Sequence, residues 1–462
     1  MKIFTFLYDL LWGDFLTISL PDGSTLGLSL LVMILIPAGI FFTIRTKFLP
    51  IRCFPEMLRI STERNTNGRT DAISGLQALI VSTATRVGMG NMVGVVAAIS
   101  AGGAGAVFWM WITALIGSST AYIEATLAQL HKEPDPLYGG YRGGPSYYIH
   151  NLFTKGKHKR YHILAVLFAL SALLCFSGVS QVISNSVSSA FYNAFEIPPI
   201  VTTVILVAFA AIVVLKKNAS VKVLDVLVPI MAAFYFIVAV FVIIKNFALL
   251  PEVFTRIFEE AFGLRQVAAG GFGAALMNGV KRGLFSNEAG SGSAPCVAAA
   301  ANVTHPAKSG LFQAFGVFID TIVICTCTAM IMLLAPAEML EGLSGMPLLQ
   351  TAMYHHFGYA GVVFTAITLW LFSFSTFIGI LYYARSNVAY LFGDNWWSQN
   401  LYKVFALVML FIGGLATYTF VWDLGDLGIG LMTVFNMIAI LPMSGQAIKA
   451  LNEYLAIRKK EL

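Results

Sequence analysis

The sequence predicts an all-α polytopic membrane protein of eleven transmembrane helices, and three observations carry that prediction. Hydrophobic residues make up 58% of the 462-residue chain and charged residues only 11%, against roughly 25% charge in a soluble domain. Apolar runs long enough to cross a hydrocarbon core of ~30 Å recur between residues 24 and 445. The polar loops between those runs sort by charge onto two sides. A β-barrel is the other structure that satisfies its backbone in lipid, but it needs alternating segments of about ten residues. Continuous runs of Leu, Ile, Val, Phe, Ala and Gly exclude it.

Residues 1–13 lack a basic stretch followed by a small-residue cleavage site, so they read as mature chain and a short interfacial helix. Spans then follow at 25–45, 73–100, 105–129, 163–194, 200–215, 223–244, 267–300, 309–334, 359–383, 402–421 and 427–447. One set of loops carries Arg45, Lys47, Arg52, Arg59, Arg64, Arg69, Lys132, Arg142, Lys155, Lys157, Lys159 and Arg160. The same side receives Lys216, Lys217, Lys222, Lys308, Arg385, Lys403, Arg458, Lys459 and Lys460. The opposite side holds Glu196, Glu338, Glu341, Asp423 and Asp426, with few basic residues. By the positive-inside rule the N-terminus lies outside and the C-terminus in the cytoplasm, as an odd number of spans requires.

The net charge of +6 is explained by those cytoplasmic loops and implies no nucleic acid. Five cysteines (Cys53, Cys175, Cys296, Cys325, Cys327) form no CxxC pairs, so neither a disulfide framework nor a metal site is expected. A membrane enzyme would need a nucleophile or metal constellation, and HExxH, GxSxG and clustered His ligands are missing. His355 and His356 are expected in a solvated external loop. The chain has no P-loop, which argues against a nucleotide-driven pump, and no cofactor is expected. A channel and a non-transporting amino-acid sensor stay open beside a secondary transporter.

Two spans are unusual. The second carries Arg86-Val87-Gly88-Met89-Gly90-Asn91 at its middle, and the seventh opens on Gly270-Gly271-Phe272-Gly273. Glycine inside a helix costs about 1 kcal/mol against alanine, so each cluster marks either close packing or an unwound segment. The two lie five helices apart, which divides spans two to eleven into two groups of five that insert in opposite senses. Interrupted helices at corresponding positions of inverted halves point to a transporter's midplane site. The divisions follow: residues 1–71 with the first helix, 72–246 and 247–448 as the two halves, and 449–462 as a cytoplasmic tail.

The stretch from Gly102 to Gly117 (GGAGAVFWMWITALIG) resembles the signature of the alanine/glycine:cation symporter family. Gly283-Leu284-Phe285-Ser286-Asn287-Glu288-Ala289-Gly290-Ser291-Gly292-Ser293-Ala294-Pro295 is similar to its second marker. Gly88-Met89-Gly90-Asn91-Met92-Val93-Gly94 and Gly143-Gly144-Pro145-Ser146-Tyr147-Tyr148 resemble further family segments. The resemblance implies a sodium-coupled symporter of alanine or glycine in a prokaryotic inner membrane. It also implies a leucine-transporter-type core of 5+5 inverted repeats, preceded here by one extra helix. The expected partners are a small amino acid, sodium and the lipid bilayer.

A broken helix exposes N–H groups at one new end and C=O groups at the other, each end carrying about half a unit of charge. A zwitterion can therefore bind to backbone. The amino-acid carboxylate is expected at Gly88, Met89, Gly90 and Asn91, and the ammonium at carbonyls of Thr85, Gly271, Phe272 and Gly273. Phe272 would cover a small side chain. Gln181 and Asn185 either line this cavity or hold helices together, and Gln77 is a weaker candidate for the site. The resembled fold implies sodium between carbonyls of Ala84 and Val87 and the hydroxyls of Ser375 and Thr376. It also implies that Glu124 accepts hydrogen bonds from an unwound helix. Glu288 reads as a cap on the inner gate or as a partner of nearby N–H groups. Arg86 reads as a structural partner of Glu124 or Asp320, or as a group near the substrate or in place of a second cation. In the last two cases an amino acid other than alanine, even an anionic one, becomes the substrate.

Overall fold

The computed structural model describes residues 2–19, 25–62, 86–154, 161–215, 219–264 and 271–461. Ala84, Thr85 and Gln77 lie outside them, as does the first part of the second span. The main helices are α1 (Lys2–Trp12), α2 (Leu30–Arg45), α3 (Gly90–Gly102), α4 (Gly105–Leu130), α5 (Ile163–Phe195), α6 (Pro199–Val214) and α7 (Ala219–Lys245). They continue as α8 (Gly271–Asn287), α9 (Pro295–Ala300), α10 (Pro306–Leu333), α11 (Tyr359–Phe392), α12 (Trp396–Gly413) and α13 (Tyr418–Glu461). The expected segments are mostly helical where described, except that residues 25–28 form a strand and residues 288–294 and 414–417 are not helical. Five of these helices (α4, α5, α10, α11 and α13) are each long and apolar enough to cross a bilayer. A sixth such span is Pro229–Lys245 with Phe247–Ala261, bent by 74°. The chain is a multi-pass membrane protein.

Local chemistry sets the ends. Ser29 caps α2 by accepting from the Val32 N–H (3.2 Å), and Arg45 lies in its last turn, where the helix dipole favours a cation. Asn395 caps α12 through the Ser398 N–H (2.9 Å). α4 is capped from another helix. After Gly103 turns with φ 69, the Glu260 carboxylate accepts from the Ala104 N–H (2.5 Å). A Cβ on Gly105 would sit 2.4 Å from the Ala261 nitrogen, and Trp109 Nε1 donates to the Ala261 carbonyl (3.0 Å). The glycine-and-tryptophan signature is therefore a dock for the Leu250–Ala261 helix.

The central packing runs between α5 and α13, whose backbones touch. A Cβ on Gly178 would lie 2.5 Å from the Gly425 nitrogen, and one on Gly428 would lie 2.3 Å from the Cys175 Cα. Lipid offers no hydrophobic drive between helices, so small residues that let backbones approach supply the attraction.

Two expectations change here. α12 ends at Gly413 and α13 begins at Tyr418, so Asp423 and Asp426 belong to a helix and not to an external loop. Asp426 is fully buried, accepts from Arg282 Nη1 and Nη2 (3.0 and 2.8 Å) and pairs with Lys281 (2.8 Å). His356 lies on the Met346–Phe357 helix, buried, with Nε2 bonded to the Ile331 carbonyl (2.9 Å). That helix packs on α11 and α10, and His356 lies on the packed side.

Candidate functional site

Each of the two unusual spans is interrupted, and the interruptions face one another. In the second, residues 87 and 88 form a turn, and residues 90–94 then wind with the wider i to i+5 spacing of a π-helix, a feature frequent at functional sites. The Gly88 N–H donates to the Arg86 carbonyl (2.8 Å) and to Asn91 Oδ1 (2.9 Å), and the Met89 N–H donates to Thr376 Oγ1 (3.2 Å). In the seventh span the break lies at residues 288–294, between α8 and α9, and not at Gly271–Gly273. Glu288, Gly290 and Gly292 take φ values of 58, 92 and 83, a left-handed backbone that a helix cannot continue through.

Gly271, Phe272 and Gly273 instead start α8. Phe272 packs edge-on against Trp109 (5.9 Å) and under Gly263. The glycines further along this helix serve contact: a Cβ on Gly279 would lie 2.4 Å from the Trp109 Cβ. Glycine content alone does not separate a hinge from a helix crossing.

Between the two breaks lies a small cavity of about 30 Å³, room for about one water molecule. Met89 and Gly90 form one side, and Glu288, Ser291 and Ser293 form the other. Phe176, Val179 and Cys175 from α5, Phe285 from α8, Thr376 and Ile380 from α11, and Ile429 and Met432 from α13 complete it. Its polar groups gather at the breaks, and the rest is apolar. Gln181 is not on this wall: it packs on Gly413 and its Nε2 reaches the Met409 sulfur (3.5 Å). Asn185 donates to the Gly413 and Ala416 carbonyls (3.2 and 2.8 Å). Both hold α5 to α12.

Asn91 turns its amide away from the cavity, donating to Asp320 Oδ1 (2.7 Å) and the Asp320 carbonyl (3.0 Å). Ser286 Oγ reaches both Asp320 oxygens (3.2 and 3.0 Å), and Thr321 Oγ1 bonds Oδ2 (2.5 Å). Asp320 belongs to a second π-helical stretch, residues 318–325 of α10, facing the first. This buried knot of oxygen atoms joins three helices, and sequence reasoning noted Asp320 only as a buried charge. The signal available was one acid, one serine and one asparagine, each in the middle of a different glycine-rich or polar span.

Of the two hydroxyls expected around sodium, Thr376 bonds the Phe372 carbonyl (2.9 Å) besides receiving the Met89 N–H, and Ser375 also bonds Phe372 (2.8 Å). Val87 is buried at the turn in the second span. Glu124 accepts from the Gly290 N–H (3.2 Å) and from Asn436 Nδ2 (2.8 Å), and Asn436 also holds the Gly290 carbonyl (2.9 Å). Glu124 thus supports the break in the seventh span. The expected pairing of Arg86 with Glu124 or Asp320 is absent. Its Nη1 donates to the Gln313 carbonyl (3.1 Å), and Nε and Nη2 have no partner among the described residues. It acts on Glu124, Glu288 and Asp320 through space.

Two facing helix breaks around a cavity are a transporter's arrangement, and sequence comparison names which. The profile of the sodium:alanine symporter family matches residues 17–462. This chain belongs to the sodium:alanine symporter family. The probable sodium/glutamine symporter of Bacillus subtilis is 44% identical, the match covering 93% of this chain and 88% of that one. The sodium/alanine symporter of Methanococcus maripaludis is 34% identical over 93% and 95% of the two chains. A manganese transporter from Eremococcus coleocola shares the fold, with TM-score 0.52 at 14% identity over 84% of this chain and 81% of that one. The symporter is a sodium-coupled amino-acid transporter and not an enzyme.

Proposed function

We propose that this symporter imports a small neutral amino acid, alanine or glycine, with sodium by alternating access. The carrying observation is the distribution of polarity in the cavity. The polar groups at the two breaks match one amino-acid head group, while Cys175, Phe176, Val179, Phe285, Ile380, Ile429 and Met432 leave only apolar wall for the side chain. A glutamine side chain would bury an amide with nothing to bond it, at a cost of about 1–3 kcal/mol. Arg86 does not line the cavity, which speaks against an anionic side chain. The substrate carboxylate then lies at Met89 and Gly90, where a helix restarts.

The coupling sodium has hard oxygen atoms available at Asp320, Ser286 and Thr321, the position we favour over Ser375 and Thr376. The reason is charge: Asp320 brings a full carboxylate, whereas Ser375 and Thr376 bring neutral hydroxyls. The halves 72–246 and 247–448 act as the two inverted repeats, one rocking on the other, with the N-terminus outside. Uptake of labelled L-alanine into proteoliposomes, with and without an inward sodium gradient, tests the reading. Concentrative uptake only with the gradient is expected. Equal uptake without sodium, or uptake of glutamine alone, overturns it.

A further inference from the structure

Glu288 differs from every other acid at the centre of the molecule. Glu124 and Asp320 have no exposed surface, whereas Glu288 is only partly buried and lines the cavity between the two breaks. It is also a non-glycine residue held at φ 58 in the interior of a membrane protein. Like Lys47, Phe48 and Glu196, which share that backbone, it sits at a helix end, directly after Asn287. Such a conformation costs of order 1–3 kcal/mol and persists where its surroundings enforce it. Here it aims a carboxylate at the cavity.

The carboxylate is under-used. Ser293 Oγ donates to Oε2 (2.7 Å), and the Tyr383 hydroxyl is a second donor. An ionised carboxylate accepts about four hydrogen bonds, so sites remain on the cavity side. No cation pairs with it among the described residues, and Arg86 acts only through space. A charge held away from water within a membrane needs a counter-charge, and without one it marks a functional position. The complement on the opposite wall is the restarting helix at Met89 and Gly90, whose end carries partial positive charge. The cavity is therefore polarised, negative at the seventh span and positive at the second.

We propose that Glu288 is the anchor for the substrate's α-ammonium group, which makes a protonated amine obligatory for binding. This rests on the reading of the cavity as the amino-acid site. It makes the residue between Asn287 and Ala289 a specificity determinant for zwitterions, and it replaces the backbone carbonyls of Gly271–Gly273 in that role.

The test is equilibrium binding to the purified full-length protein in sodium, first with a panel of neutral amino acids. If alanine is not carried but another amino acid is, the substrate reading fails while the ammonium anchor is still tested on that amino acid. Lactate, which keeps the carboxylate and size of alanine but lacks the ammonium, should not compete. In Glu288→Gln, affinity should fall roughly 10- to 100-fold, the worth of a charge-assisted hydrogen bond, and Glu288→Asp should lose less. Sodium half-saturation should change less than threefold. A variant that fails to fold is bypassed in the wild-type protein: labelling of Glu288 by dicyclohexylcarbodiimide, read by peptide mass spectrometry, should be blocked by the amino acid in sodium and not by sodium alone. Unchanged amino-acid affinity in Glu288→Gln, or protection by sodium alone, overturns the proposal.

Discussion

Replacing Asp320 by asparagine separates the two places where a coupling ion could sit. Asp320 is fully buried and its carboxylate gathers Asn91, Ser286 and Thr321 from three directions. If sodium is held there, Asp320→Asn removes the one full negative charge in the coordination sphere while keeping the shape. Truncating one partner of a buried charge pair costs about 2–5 kcal/mol, which is roughly a 30-fold or greater rise in the sodium needed for half-maximal uptake. Thr376→Ala, in contrast, removes one neutral acceptor from the Met89 N–H, worth about 1 kcal/mol or about fivefold. The assay is alanine uptake into proteoliposomes against external sodium, with thermal melting of the same preparations to show that each variant is folded. An Asp320→Asn protein that melts normally and saturates within threefold of wild type would refute the assignment. A larger shift in Thr376→Ala than in Asp320→Asn would return the ion to Ser375 and Thr376.

Gly178→Ala should lower the melting temperature, because the new Cβ meets backbone atoms of Gly425 that cannot rotate away. A melt equal to wild type would show that α5 and α13 separate freely. Asp426→Asn should destabilise by about 3–5 kcal/mol, since it leaves buried Lys281 and Arg282 without their counter-charge; denaturant unfolding in detergent measures it. An unchanged midpoint would mean the cluster is solvated. Phe285→Ala should widen the apolar end of the cavity and admit larger neutral side chains in competition assays. Retained selectivity for alanine would remove Phe285 from the wall.

Much of the architecture was legible because lipid imposes a length and a composition on every crossing. The end of the first helix, the starts of α4 and α5, and the glycine turn at Gly88 all fall where hydropathy and breakers place them. Motifs led to the right region but not to the right atoms. The signature around Trp109 turned out to hold a helix, since glycine serves close packing and unwinding alike and only neighbours distinguish them. Gly279 meets Trp109, whereas Gly290 and Gly292 turn the chain.

What the sequence by itself determined is the class, the family and one of the two places where helices fail, at Gly88, all of which depend on local composition and on residues close in the chain. Only the tertiary structure decided that Asn91, Ser286 and Asp320 meet, that Asp426 answers Lys281 and Arg282, and that Glu288 faces a cavity. Asn91 and Asp320 lie 229 positions apart, and no periodicity within a helix encodes which partner waits across the gap. That choice is made by packing, where a buried polar group must find a partner and the geometry of neighbouring helices settles which one.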